Sequence, residues 1–167
     1  IQKAIEEDDA PVYHQLAGDI HFYLKEFDQA YGEYMVVNNS DLASPNSFYW
    51  AAKAKENTPG FNIGDVIALL DGAVDKCGLP LTSEAGQYIL ERIDWKLRLS
   101  QYAEAIADYD LYYKAMSGDV GSSFYFYREQ AKFRAGDMEG ALADIKEAVR
   151  LSPDVPDYRA EEASVYV

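Results

Sequence analysis

Tyr88–Tyr109, YILERIDWKLRLSQYAEAIADY, lies over Phe124–Ile145, FYFYREQAKFRAGDMEGALADI, when the sequence is slid 36 places along itself. Arg92 then meets Arg128, Lys96 meets Lys132, Arg98 meets Arg134, Ala105 meets Ala141, Ala107 meets Ala143 and Asp108 meets Asp144. The apolar slots agree as well: Leu97 with Phe133, Ile106 with Leu142, Tyr109 with Ile145. Self-similarity at such a period is the mark of stacked supersecondary units, none of which can bury its own apolar face alone. Within each unit apolar residues recur at three- and four-residue steps on either side of a polar or Gly-containing turn, which makes the unit a pair of helices.

In the unit containing Phe124 the first helix is expected over 123–134, a break at Ala135-Gly136-Asp137, and a second helix over 138–151. Ser152-Pro153 ends it, because proline disfavours helix in the residue before it and cannot donate to the preceding turn. Turns within the other units fall at Lys25-Glu26, at Thr58 to Asn62 and at Ser100-Gln101, with longer connections at 38–46, 78–83 and 117–121. No run alternates apolar and polar residues for long, and no Asn-Gly or Asp-Gly hairpin turn joins two such runs, so no sheet is expected.

These helix pairs resemble the tetratricopeptide repeat, whose pattern is W-x-x-L-G-x-x-Y, then A-x-x-x-F, then A, then P. Ala141-x3-Ile145 with Ala148 and Pro153 carries the second half, Ala30-x3-Tyr34 and Ala105-x3-Tyr109 carry its core, and Val66-x3-Leu70 with Ala73 is a looser version. Ala17-Gly18 and Ala54 stand in the small slot of the first helix and Trp50 in its tryptophan slot, whereas Ile93 and Glu129 stand where a small residue is usual. Lys53, Arg92 and Arg128 occupy the position most often held by leucine. The resemblance covers essentially the whole chain. It implies an all-α, right-handed α-α superhelix, a solenoid of about four helix pairs at 11–46, 47–82, 83–121 and 122–156. Residues 1–10 would be the tail of a preceding repeat and 157–167 the start of a following one. Apolar Ile1, Ile5, Val165 and Val167 at the two ends would then favour homo-oligomers. Repeats of this flavour look bacterial, either cytoplasmic or exported to the periplasm.

Charge restricts the partner. With 29 Asp+Glu against 15 Lys+Arg and a net of -14, a nucleic-acid backbone or an anionic lipid surface is repelled. No stretch approaches eighteen consecutive apolar residues, so no membrane insertion is expected. Cys77 is the one cysteine, which excludes an intrachain disulfide and reads as a buried, inert thiol.

Catalytic and metal chemistry find little support. His14 and His21 share a helical face but Asp19 is off that stripe, so both read as ordinary helix histidines. Gly118-Asp119-Val120-Gly121 lacks the lysine and hydroxyl residue of a phosphate loop. Abundant carboxylates read as a solvated face, with no pair set apart in an apolar pocket. Arg92 with Asp108, and Arg128 with Asp144, read as ion pairs inside each hairpin. No cofactor, metal or catalytic residue is therefore expected.

What remains is a non-catalytic scaffold that binds a protein or peptide. Resemblance to the repeat places the concave face on one stripe of each first helix: Val12, Gln15, Asp19, Phe22 and Tyr23, then Phe48, Ala51 and Lys55. In the next two pairs the stripe falls on Gln87, Leu90, Asp94, Leu97 and Arg98, then on Ser123, Phe126, Gln130, Phe133 and Arg134. The residues expected to hold a partner are Phe22, Leu90, Leu97, Arg98, Phe126, Gln130, Phe133 and Arg134, an apolar floor flanked by two guanidinium groups that suit a carboxylate or phosphate. A self-assembling or interdomain solenoid, or the accessory domain of a larger enzyme, is the alternative.

Overall fold

A computed structural model describes residues 10–165, apart from the side chain of Val165. Expectations for Ile1, Ile5 and Val167 lie outside the described residues. Among these the chain forms α1 Pro11–Tyr23, α2 Phe27–Asn38, α3 Pro45–Glu56, α4 Ile63–Lys76, α5 Gly86–Arg98, α6 Tyr102–Ala115, α7 Ser122–Ala135, α8 Met138–Leu151 and α9 Pro156–Val165. A single 3₁₀ turn, Ser83–Ala85, leads into α5, and no strand occurs among the described residues.

Local chemistry sets the helix ends. Pro11 and Pro45 open α1 and α3, where the missing N–H costs nothing. Ser44 and Ser47 cap α3 reciprocally: the Ser47 amide donates to Ser44 Oγ at 3.1 Å and the Ser44 amide to Ser47 Oγ at 3.0 Å. Asn62 and Asp137 accept from the amides of Gly64 and Gly140 at the starts of α4 and α8. Gly136 ends α7 at φ 86°, a left-handed conformation in which a Cβ would be strained.

The described residues form two compact units, divided between Trp95 and Lys96 inside α5. In the first, α1 packs on α2, α2 on α3, and α3 on α4. Its core joins Tyr34, Ala51, Ala54, Val66, Leu70 and Trp95, with Phe22, Phe48 and Trp50 around it. In the second, α6 packs on α7, α7 on α8, and α8 on α9. Ile145, Ala148 and Tyr158 centre a cluster that takes in Tyr125, Phe126, Leu142 and Val149.

The small slots explain the close helix packing. Ala17, Ala30, Ala54, Ala105, Ala141 and Ala148 are all sealed from solvent. At Gly18 even a methyl has no room, since a Cβ there would lie 2.6 Å from the Tyr34 ring. Ile93 and Glu129, which replace the usual small residue, are nonetheless buried.

Candidate functional site

A tyrosine-lined cavity of about 290 Å³ lies within the second unit, between the last turn of α5, α6 and α7. Leu97 comes from α5, Tyr102 and Tyr109 from α6, and Tyr127, Gln130, Ala131 and Arg134 from α7. Helical spacing explains the last four: steps of three, one and three put them on one side of α7. Ala131 and Tyr109 are buried and form the floor, while Tyr127, Gln130 and Arg134 are exposed at the rim. Three phenol groups, one amide and one guanidinium thus surround a recess completed by Leu97 and Ala131, a composition suited to a side chain with a polar or anionic neighbour.

Of the eight residues expected to hold a partner, Leu97, Gln130 and Arg134 come together here. Phe133 and Leu90 are exposed elsewhere on α7 and α5, and Arg98 is exposed at the end of α5. Phe126 packs against Tyr158 of α9 with ring centroids 4.9 Å apart, so it belongs to the α7–α8–α9 packing. Phe22 lies in the first unit. The three tyrosines of the cavity were not among the expected residues. Tyr109 had the signature of a core position, which it also is: its ring stands edge-on to Phe124 at 5.6 Å.

An ion-pair lattice holds the helices that carry this cavity. Arg128 grips both oxygens of Asp144 at 2.7 Å and reaches Asp110 of α6 at 2.9 Å, joining α6, α7 and α8. Lys132 adds a 2.8 Å contact to Asp144, and Lys96 bonds Asp108 at 2.7 Å. The expected Arg128–Asp144 pair is therefore present. Arg92 bonds Asp71 of α4 at 2.8 Å, a partner the repeat pattern does not indicate, while Arg92 and Asp108 belong to different units.

Glu129 stands apart. It is wholly buried with no hydrogen-bond partner on either carboxylate oxygen, and burial, then Glu161 and Asp144, push its pKa up to about 7.

Another cavity, about 220 Å³, lies in the first unit among Asp19 and Phe22 of α1, Tyr34 of α2, and Asn46 and Trp50 of α3. Tyr34 is almost completely buried and donates its hydroxyl to Asp19 Oδ1 at 2.9 Å. The Asp19 carboxylate together with burial pushes the phenol pKa up, with burial the larger cause, so this proton stays in place. Phe22 and Trp50 meet edge to face, centroids 5.1 Å apart.

The two histidines each take a carboxylate of their own, His14 with Glu33 and His21 with Glu26. No group of three or more metal-ligating side chains occurs among the described residues. Cys77 is half-buried rather than buried; its thiol donates to the Ala73 carbonyl and burial raises its pKa.

No protein-family model matches the sequence, and no curated protein does. Solved structures do match over nearly the full length. YrrB, described as a TPR protein with an unusual peptide-binding site, superposes with a TM-score of 0.71 at 15% identity, covering 99% of this chain and 81% of that one. The fold is that of the tetratricopeptide repeat. Residues 41 to the end of MamA from Desulfovibrio magneticus RS-1 share that fold, at TM-score 0.66 and 12% identity over 93% of this chain and 82% of the other. So do the TPR-like repeats of a putative kinesin light chain from Podosopora anserina, at 0.64 and 12% over 93% and 86%. No helix among the described residues is long and apolar enough to cross a membrane.

Proposed function

We propose that this chain is a non-catalytic scaffold of tetratricopeptide pairs, repeating at 11–46, 47–82, 83–121 and 122–156, that binds a peptide or a protein segment through its first helices. The supporting observation is the cavity of the second unit, where Leu97, Gln130 and Arg134 meet Tyr102, Tyr109 and Tyr127. An apolar side chain fills the recess, and a carboxylate beside it meets the Arg134 guanidinium. Within the second unit, Arg98 and Phe133 are further exposed contacts and Phe126 a support, while Phe22 and Leu90 are the contacts proposed for the first unit. Tyrosine favours such a role because it offers large contact area at a low cost in side-chain entropy.

A peptide selected from a random displayed library against the whole chain provides the test. Tyr127→Ala and Arg134→Ala should each weaken its binding about tenfold or more, since an aromatic ring and an arginine are the side-chain types that most often dominate such contacts. Lys146→Ala, on α8, should leave it nearly unchanged. The reverse pattern would place the working surface on the second helices and defeat the proposal.

A further inference from the structure

The cavity of the first unit has the opposite polarity to the one in the second. Its one charged lining residue is Asp19, and the other lining groups are two aromatic rings, a phenol and a primary amide. The carboxylate is held in a defined orientation: Tyr34 Oη at 2.9 Å and Gln15 Nε2 at 3.0 Å both donate to Oδ1. Tyr34 cannot swing away, because it is almost completely buried and its ring lies against the backbone at Gly18. Oδ2 has no hydrogen bond from any described residue, nor has the side-chain amide of Asn46. The lysines of α3, which carries Asn46 and Trp50, are engaged elsewhere: Lys53 with Glu56 and Glu91, and Lys55 with Asp65 and over the Tyr31 ring. A fixed carboxylate with one open oxygen, beside Phe22 and Trp50, is a receptor for a cation. Ring quadrupoles attract a cation through their faces, tryptophan most of all, and the net charge of -14 draws basic partners toward the protein.

We propose that this cavity receives a lysine side chain presented by a basic segment of a protein partner. Lysine is chosen over arginine by the carboxylate. A guanidinium binds best with both forks on two free oxygens, whereas Oδ1 here already accepts twice. An ammonium needs a single strong acceptor, which Oδ2 supplies, and its remaining donors reach the Asn46 carbonyl oxygen. The four-carbon stem packs along Trp50 and Phe22. This site is separate from the tyrosine-lined cavity and takes a ligand of the opposite charge, so neither proposal depends on the other.

The whole chain, labelled with ¹⁵N, is titrated with Nα-acetyl-lysine methylamide, and the Trp50 indole N–H and Asn46 side-chain amide signals are followed. Saturable shifts at both are expected in the millimolar range. The uncharged norleucine analogue should bind about tenfold more weakly, the loss of one hydrogen bond to a charged group. Asp19→Asn, which keeps an acceptor for Tyr34, should give the same loss, and the surface variant Asn46→Ala a smaller one. Arg134→Ala should change nothing. Equal binding of norleucine would make the cavity an apolar pocket, tighter binding of the arginine analogue would remove the argument from Oδ1, and indifference to both Asp19→Asn and Asn46→Ala would remove the site. Any of these three results overturns the proposal.

Discussion

Glu129 makes the stability of the protein depend on pH in an unusual direction. An ordinary carboxyl of this type titrates near 4.5, but burial and the repulsion of Glu161 and Asp144 hold this one near 7. Between those values the folded chain keeps a proton that the unfolded chain has lost, so this group's contribution falls as pH rises from about 4.5 to about 7 and is level above. Two and a half pH units correspond to on the order of 3 kcal/mol. Glu129→Gln, which cannot ionise, should therefore melt higher than the parent at pH 8 and at about the same temperature at pH 5. Thermal denaturation of both proteins from pH 5 to 8 checks this, and a difference that does not change with pH would mean that Glu129 is ionised throughout. Gly18 offers a second single-residue test. A methyl there would strike the Tyr34 ring at 2.6 Å, and Tyr34 is packed too tightly to yield. Gly18→Ala should lose about 1–3 kcal/mol from overpacking, more than the roughly 1 kcal/mol that alanine gains over glycine in a helix. Chemical denaturation measures the balance, and a stabilised variant would show that α1 can move away from α2.

At the scale of elements, Asp144 ties α8 to α7 through Arg128 and Lys132 in a largely buried setting. Removing the carboxylate leaves two cations without their shared partner, so Asp144→Ala should cost about 3 kcal/mol. Arg128→Met should cost less, because Lys132 still faces Asp144 and the Asp110 carboxylate released by it is half open to water. Arg128→Met combined with Asp144→Leu should recover part of the loss, as apolar replacement of a buried pair commonly does, with Lys132 alone left without its carboxylate. Urea unfolding followed by circular dichroism would rank the three, and additive losses in the double variant would show that the pair is not a unit. This clamp was legible in the sequence because the 36-residue offset repeats Arg and Asp at fixed places in each hairpin, and helix geometry does the rest. The helix bounds were legible for the same reason, with Gly136 and Pro153 marking the ends of α7 and α8. Site residues were harder to read. A stripe of first-helix positions says which side a residue occupies, but Phe126 turns under Tyr158, and Tyr109 and Tyr102 enter the cavity from a second helix. Arg92 meets Asp71 of the preceding α4, an encounter between pairs that no within-pair spacing encodes. Contacts within one hairpin follow from periodicity, whereas contacts between hairpins depend on how side chains of different lengths fill the gap.

For the whole molecule two forces of different range oppose each other. Val12, Leu16, Ile20 and Tyr23 of α1 are substantially exposed, the last to 86%, and their steps of four, four and three align them as one apolar stripe. Contact between the stripes of two copies would bury apolar area at roughly 25 cal/mol per Å², an attraction that acts only at contact. Against it stands a net charge of -14 on every copy, which repels at a distance. Salt separates the two. The screening length falls from about 10 Å at 0.1 M to about 3 Å at 1 M, shorter than the reach of surface side chains, while apolar burial is not weakened. Self-association should therefore increase as sodium chloride rises from 0.05 to 1 M, on the order of tenfold in the association constant if screening removes about 1.4 kcal/mol of repulsion. Sedimentation velocity over a concentration series at each salt would measure it. Leu16→Gln with Ile20→Gln removes the middle of the stripe and leaves the charge untouched, so this variant should stay monomeric at both salts. Association that weakens with salt, or that persists in the double variant, would assign the contact to charged pairs or to another surface and would rule out the α1 stripe as its cause.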